Sequence, residues 1–176
     1  MLLPIDATRS LLVLIDIQAR LVPALAEPEA LIANARRLKE AASILDVPVL
    51  ITEQNPGALG STVPALAGGE VVDKMAFDVT REEGFLARVP DEAELVLAGC
   101  EAHICVLQTA MGLKAAGRRV RVVRDAVASR RTENREAALA RLAAHGIDVV
   151  TTEMVVFEWL GSAAHPRFRD VVRLIK

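Results

Sequence analysis

Cysteine is scarce in this 176-residue chain, which has two, Cys100 and Cys105. They sit five positions apart in one predicted turn, which excludes the disulfide framework of a small secreted domain. An excess of one charge is missing too. The net charge is −2 with both signs interspersed, so neither nucleic acid nor a membrane is expected as a partner. The basic residues that bunch between Arg118 and Arg131 are interrupted by Val120, Val122 and Val123, as a strand would interrupt them. No apolar run approaches the roughly 18 residues of a spanning helix. The opening M-L-L-P-I-D has no basic n-region and is broken by Pro4 and Asp6, so no signal peptide is expected and the location is read as cytoplasmic. Repeats, low-complexity segments and linkers are missing as well, and residues 1–176 are expected to form a single domain.

What the chain does contain is alternation. Ser10 to Asp16 (S-L-L-V-L-I-D) is a continuous apolar run ending in a carboxylate, as in a strand buried on both faces. Pro28 opens a predicted helix that places Leu31, Ile32, Ala35, Leu38, Ala42 and Leu45 on one face. Further strands are predicted at Val47–Thr52, Glu70–Asp73, Leu95–Ala98, Arg119–Val123 and Ile147–Thr151. Helices are predicted at Arg81–Ala87, after Cys105, at Thr132–His145 with Thr132 as cap, and at Met154–Leu160 and Phe168–Ile175. Residues 53–69 read as a long loop with room for one short helix. Six strands alternating with helices predict a three-layer, doubly wound α/β fold, Rossmann-like, with a mostly parallel six-stranded sheet and helices on both faces.

The stretch E-L-V-L-A-G-C-E-A-H-I-C-V-L-Q-T-A-M, Glu94 to Met111, carries the chemistry. A buried strand closes at Gly99, and Ile104, Leu107, Gln108 and Met111 follow at helical spacing. The turn between them delivers Cys105 to the first helical turn, where unpartnered N–H groups and the helix dipole favour negative charge. This predicts a thiol of lowered pKa beside backbone donors able to hold an oxyanion. Ligands in parallel sheets bind beyond the carboxyl ends of the strands, near the reversal of strand order. That rule gathers Asp16, Lys74 and Cys105 at one rim. A thiolate attacks acyl carbons, a carboxylate can carry its proton, and an amine holds the carboxylate charged and oriented.

L-I-D-I-Q in the first strand, the lysine after the third, and G-C-E-A-H-I-C-V-L-Q-T resemble the isochorismatase-like cysteine hydrolase family. T-E-Q-N-P and T-V-P-A-L resemble its small isochorismatase-domain members. The resemblance implies an Asp16–Lys74–Cys105 triad, a cis peptide joining Cys100 to Glu101, and an oxyanion hole made of the Glu101 and Cys105 N–H groups. It also implies a homo-oligomer, for which the apolar segment M-V-V-F-E-W-L-G is the expected interface. The metal-binding nicotinamidase branch carries Asp-x-His and further histidines after its second strand. This chain has Glu53-Gln54-Asn55-Pro56-Gly57 there, and His103, His145 and His165 lie elsewhere, so no metal and no cofactor are expected.

The expected function is hydrolysis of a C–N bond in a small amide or imide through a Cys105 thioester. The alternatives are vinyl-ether hydrolysis and a non-catalytic metabolite-binding protein on the same fold. Gln18, Gln54 and Phe77 are the expected substrate-binding residues, with a structural role as the alternative for Gln18 and a place in the core as that for Phe77; the last two come from the loops around 54–66 and 75–85 that would set specificity. Cys100 is expected to pack in the core, and His103 to be solvated. His145 is expected to cap a helix C-terminus and His165 to lie in a loop.

Overall fold

In a computed structural model, residues 4–176 are described; Met1 to Leu3, the start of the leader reading, lie outside them. The six strands are β1 (Ser10–Ile15), β2 (Val49–Gln54), β3 (Glu70–Lys74), β4 (Glu94–Cys100), β5 (Arg119–Ala128) and β6 (Asp148–Val150). They form one sheet in the order β3-β2-β1-β4-β5-β6, with every neighbouring pair parallel. The order reverses between β1 and β4, so the carboxyl ends of these two strands frame the crevice expected of a doubly wound sheet.

The period-2 alternation of β1 builds both layers. Leu12 and Leu14 pack toward α1 (Pro28–Ile44), meeting Leu31, Ala35, Leu38 and Ala42, together with Val155 and Trp159 of α5 (Thr152–Leu160). Leu11, Val13 and Ile15 face the opposite layer, Val106, Ala110 and Leu113 near α3 (Leu107–Ala115) and Leu139 and Leu142 of α4 (Thr132–Ala144). Two glycines allow close approaches. A Cβ on Gly99, whose φ is +134°, would lie 2.0 Å from the Ile15 carbonyl oxygen. One on Gly112 would lie 2.4 Å from the Asp78 carboxylate, where α3 presses on the segment after β3.

Several predicted bounds shift for identifiable reasons. β5 runs on to Ala128, because a register shift between Leu97 and Gly99 lets Val127 and Ala128 pair with Gly99 and Cys100. Residues 53 and 54 belong to β2, and the following loop holds the short α2 (Pro56–Leu59). The helix expected at Arg81–Ala87 is two 3₁₀ turns, Val79–Arg81 and Leu86–Arg88, separated by Gly84 at φ +76°. Arg131, not Thr132, occupies the cap position of α4, and no side chain caps that helix. The terminal α6 spans Phe168–Val172 and stops short of Ile175. The segment expected to offer an apolar interface is mostly core. Val155, Val156, Trp159 and Leu160 are buried, since helical periodicity turns them to the sheet, and Met154 and Phe157 remain exposed. No described helix is long and apolar enough to cross a membrane.

Candidate active site

Asp16 follows the last residue of β1 and adopts the left-handed region, φ +52°, which aspartate tolerates better than most residues. Its carboxylate is fully buried at the reversal point. Oδ1 accepts from Thr52 Oγ1 at 2.6 Å, and Oδ2 lies 2.7 Å from Lys74 Nζ. Lys74 ends β3 and is itself buried. Its ammonium also donates to Gln54 Oε1 at 2.7 Å, with the carbonyls of Ala76 and Phe77 at 3.3 and 3.4 Å. A buried cation is tolerable only with such a set of acceptors.

Cys105 reaches the same cluster from β4. The Cys100–Glu101 peptide is cis, and a π-helical turn, Ala102–Val106, then leads into α3. Single π turns occur often at functional sites. Cys105 Sγ lies 3.9 Å from Gln54 Oε1, and the residue is 5% exposed. The expected lowering of its pKa is overturned. Burial, then the negative charge of Asp16, push the thiol up to about 12, with a hydrogen bond to Asp16 adding to the rise; the charge and hydrogen bond of Lys74 oppose this without matching it. Desolvation and the neighbouring carboxylate outweigh the opposing ammonium of Lys74. The resting thiol is therefore protonated, with a proton acceptor beside it.

The remaining expected residues divide sharply. Gln18 is buried, and its amide clasps backbone, donating to the carbonyls of Gln54 at 3.0 Å and Gly60 at 2.6 Å and accepting from Gln54 N–H at 2.8 Å. Its structural work leaves the amide nitrogen nothing to offer a substrate. Phe77 turns its ring outward, half exposed, and meets the site through its carbonyl. Gln54 sits at the centre. Glu101 is buried with its carboxylate on Arg130 at 3.0 Å, and its carbonyl accepts from Ile104 and Val106 N–H. Cys100 packs in the core and its thiol donates to Asp16 O at 3.1 Å. His103 is half-buried rather than fully solvated: Nδ1 is 2.9 Å from Ser129 Oγ and Nε2 is 3.5 Å from Asn134 Nδ2. Sequence reasoning missed these two partners, which come from distant chain. His145 Nδ1 meets Arg141 O at 2.9 Å at the end of α4, and His165 accepts from Arg167 N–H in a loop.

The described residues hold no group of three or more His, Cys, Asp or Glu side chains able to bind a metal. A cleft of about 160 Å³ lies between α1 and the start of α4, lined by Asn34, Asp125 and Ser129. Another of about 470 Å³ lies beside Asp78, Gln108 and Arg141. Neither includes Asp16, Lys74 or Cys105.

A doubly wound parallel sheet with a cysteine, a carboxylate and an amine buried at its switch point defines an α/β protein of Rossmann-like class. The chain belongs to the isochorismatase-domain family, whose domain profile matches residues 10–154. It is 37% identical over 166 residues to isochorismatase domain-containing protein 1 of Danio rerio, covering 92% of this chain and 59% of that protein. It thus spans about three-fifths of that relative's length. Isochorismatase domain-containing protein 2 of the same fish is 36% identical over 170 residues, covering 94% and 86%. Among solved structures, the MAR1 ribonuclease of Caenorhabditis elegans superposes with a TM-score of 0.91 at 34% identity, covering 98% of this chain and 92% of that one.

The last comparison corrects the exclusion of nucleic acid as a partner. A protein this similar is a ribonuclease, and net charge sums the whole surface without describing any part of it. Arg130 and Arg131, with exposed side chains, stand at the carboxyl rim.

Proposed function

We propose that the protein hydrolyses a C–N bond of an acyl compound through a Cys105 thioester. The observation that carries this reading is the buried Asp16–Lys74 pair at 2.7 Å, beside a thiol held protonated. Asp16 takes the thiol proton as Sγ attacks the carbonyl carbon, so a C–S bond forms and the carbonyl electron pair moves to oxygen. The Glu101 N–H, which has no acceptor among the described residues, and the Cys105 N–H stabilise that oxyanion. The C–N bond breaks as Asp16 protonates the leaving nitrogen. Water then attacks the thioester and gives a proton to Asp16, the C–S bond breaks, and Asp16 returns that proton to sulfur as the acid leaves. Lys74 aims Asp16 through their 2.7 Å contact. The test is a panel of small primary amides with a mass search for an acyl adduct on Cys105. An adduct lost in Cys105→Ala supports the thioester, and turnover persisting in that variant favours vinyl-ether chemistry. Ligand binding without any turnover favours a non-catalytic module.

A second reading is RNA cleavage, favoured by the similarity to a ribonuclease and by the arginines at the rim. Incubating the full chain and Cys105→Ala with single-stranded RNA checks it. Cleavage by both, with no acyl adduct, would replace the amide reading.

A further inference from the structure

The side chain of Gln54 is fixed at both ends. Its Nε2 donates to Met75 O at 2.8 Å, and its Oε1 accepts from Lys74 Nζ at 2.7 Å. A carbonyl can only accept and an ammonium can only donate, so the two contacts permit one orientation of the amide and forbid its flip. Its backbone is pinned as well, by the two-way clasp of Gln18. A rigid, buried acceptor therefore points into the site. Of the two lone pairs on Oε1, Lys74 takes one. The other faces Cys105 Sγ across 3.9 Å, a long contact even for a thiol donor.

That contact changes character when the thiol gives up its proton. Oε1 then faces a thiolate with no hydrogen between them, a lone pair opposed to an anion. A substrate whose carbonyl carbon sits against Sγ brings the other substituent on that carbon within reach of Oε1. An N–H there donates to the vacant lone pair and relieves the repulsion. An ester oxygen adds a second acceptor and worsens it, and a buried acceptor left unmatched is costly.

Resting on the Cys105 nucleophile proposed above, we infer that Gln54 is the specificity-determining residue of the site and selects acyl compounds that carry an N–H on the scissile carbonyl, such as primary and secondary amides, over esters and tertiary amides. Lys74 confers no such selection, being a donor that ignores the difference between N–H and ester oxygen.

The probes are 4-nitrophenyl N-methylcarbamate and methyl 4-nitrophenyl carbonate, which have nearly the same shape and differ by N–H against O on the carbonyl carbon that Sγ attacks. With either, the Cys105 proton passes to Asp16, a C–S bond forms, the C–O bond to the nitrophenyl group breaks and nitrophenol leaves with that proton. Rates at Cys105 are read by peptide mass on the full chain and divided by the rates with glutathione. The expected preference of the unmodified protein for the amide is about tenfold, the scale of one well-placed hydrogen bond. Gln54→Met, similar in shape but without the acceptor, brings the ratio to the glutathione value, and Gln54→Glu, which keeps an acceptor, retains most of it. Equal normalised rates in the unmodified protein overturn the inference, as does a Gln54→Met variant slowed equally with both probes. Failure of both probes to label Cys105 overturns the nucleophile and this inference together, whereas labelling without preference overturns this inference alone.

Discussion

Lys74 Nζ lies 2.7 Å from Asp16 Oδ2, and neither side chain has exposed surface. Two charges so placed constrain each other: each is tolerable in the interior because the other is there. The pair also acts on the thiol: burial raises the Cys105 pKa most, Asp16 adds to the rise and Lys74 opposes it.

Lys74→Met leaves the Asp16 carboxylate buried without its counter-ion, and urea unfolding is expected to show a loss of about 3–5 kcal/mol. The double variant Asp16→Asn with Lys74→Met recovers most of that stability but not Cys105 reactivity. A double variant as unstable as the single one would show that packing, not charge, dominates.

Glu94 anchors a second ionic cluster at the opposite ends of the strands. Its carboxylate meets Arg121 at 2.9 Å, Arg9 at 3.1 Å and Arg119 at 3.4 Å, and Arg121 also reaches Asp148 at 3.2 Å. Glu94→Ala is expected to cost about 3–5 kcal/mol in chemical denaturation, because three guanidinium groups lose a buried partner. Labelling of Cys105 in the folded protein should not change.

Gly99→Ala drives a methyl to 2.0 Å from the Ile15 carbonyl and is expected to destabilise by more than about 4 kcal/mol, or to prevent folding. Gly117→Ala, where φ is +78° but nothing lies within 4 Å, should cost only about 1 kcal/mol. Thermal melts of the two variants separate steric contact from backbone strain.

Alkaline stability follows from the thiol. The folded Cys105 holds its proton to about 12, whereas an unfolded thiol releases it near 8.5. Above that lower value the unfolded state binds fewer protons, so the stabilising contribution is complete below it and is lost as pH rises toward 12. Cys105→Ser is expected to flatten the fall in stability between pH 9 and 11, measured against the unmodified protein.

The sheet was legible because β1 and β4 are unbroken apolar runs that end in Asp16 and Gly99, and parallel strands buried on both faces need such runs. Asp16, Lys74 and Cys105 could be assigned to one rim from strand ends alone. The electrostatics were not legible: burial of Cys105 and its closeness to Asp16 depend on how β4 and the π turn stack against β1, and these invert the expected shift. Gln18 illustrates the same limit, since a glutamine two residues after Asp16 looks the same in sequence whether it binds substrate or clasps Gln54. The length of β5 was hidden because Arg124 and Asp125 read as a strand end, whereas Asp125 turns aside to accept from Thr152.

The proposed transfer of the Cys105 proton to Asp16 is read in the rate of Cys105 alkylation by iodoacetamide from pH 6 to 9, mapped apart from Cys100. If one proton is shared by the pair, the reactive thiolate form is a fixed fraction and the rate should vary by less than about threefold over that range. In Asp16→Asn the flat profile should give way to a thiol titration, rising about tenfold per pH unit below its pKa. A thiol titration in the unmodified protein, or a flat profile that survives in Asp16→Asn, would rule out Asp16 as the proton acceptor.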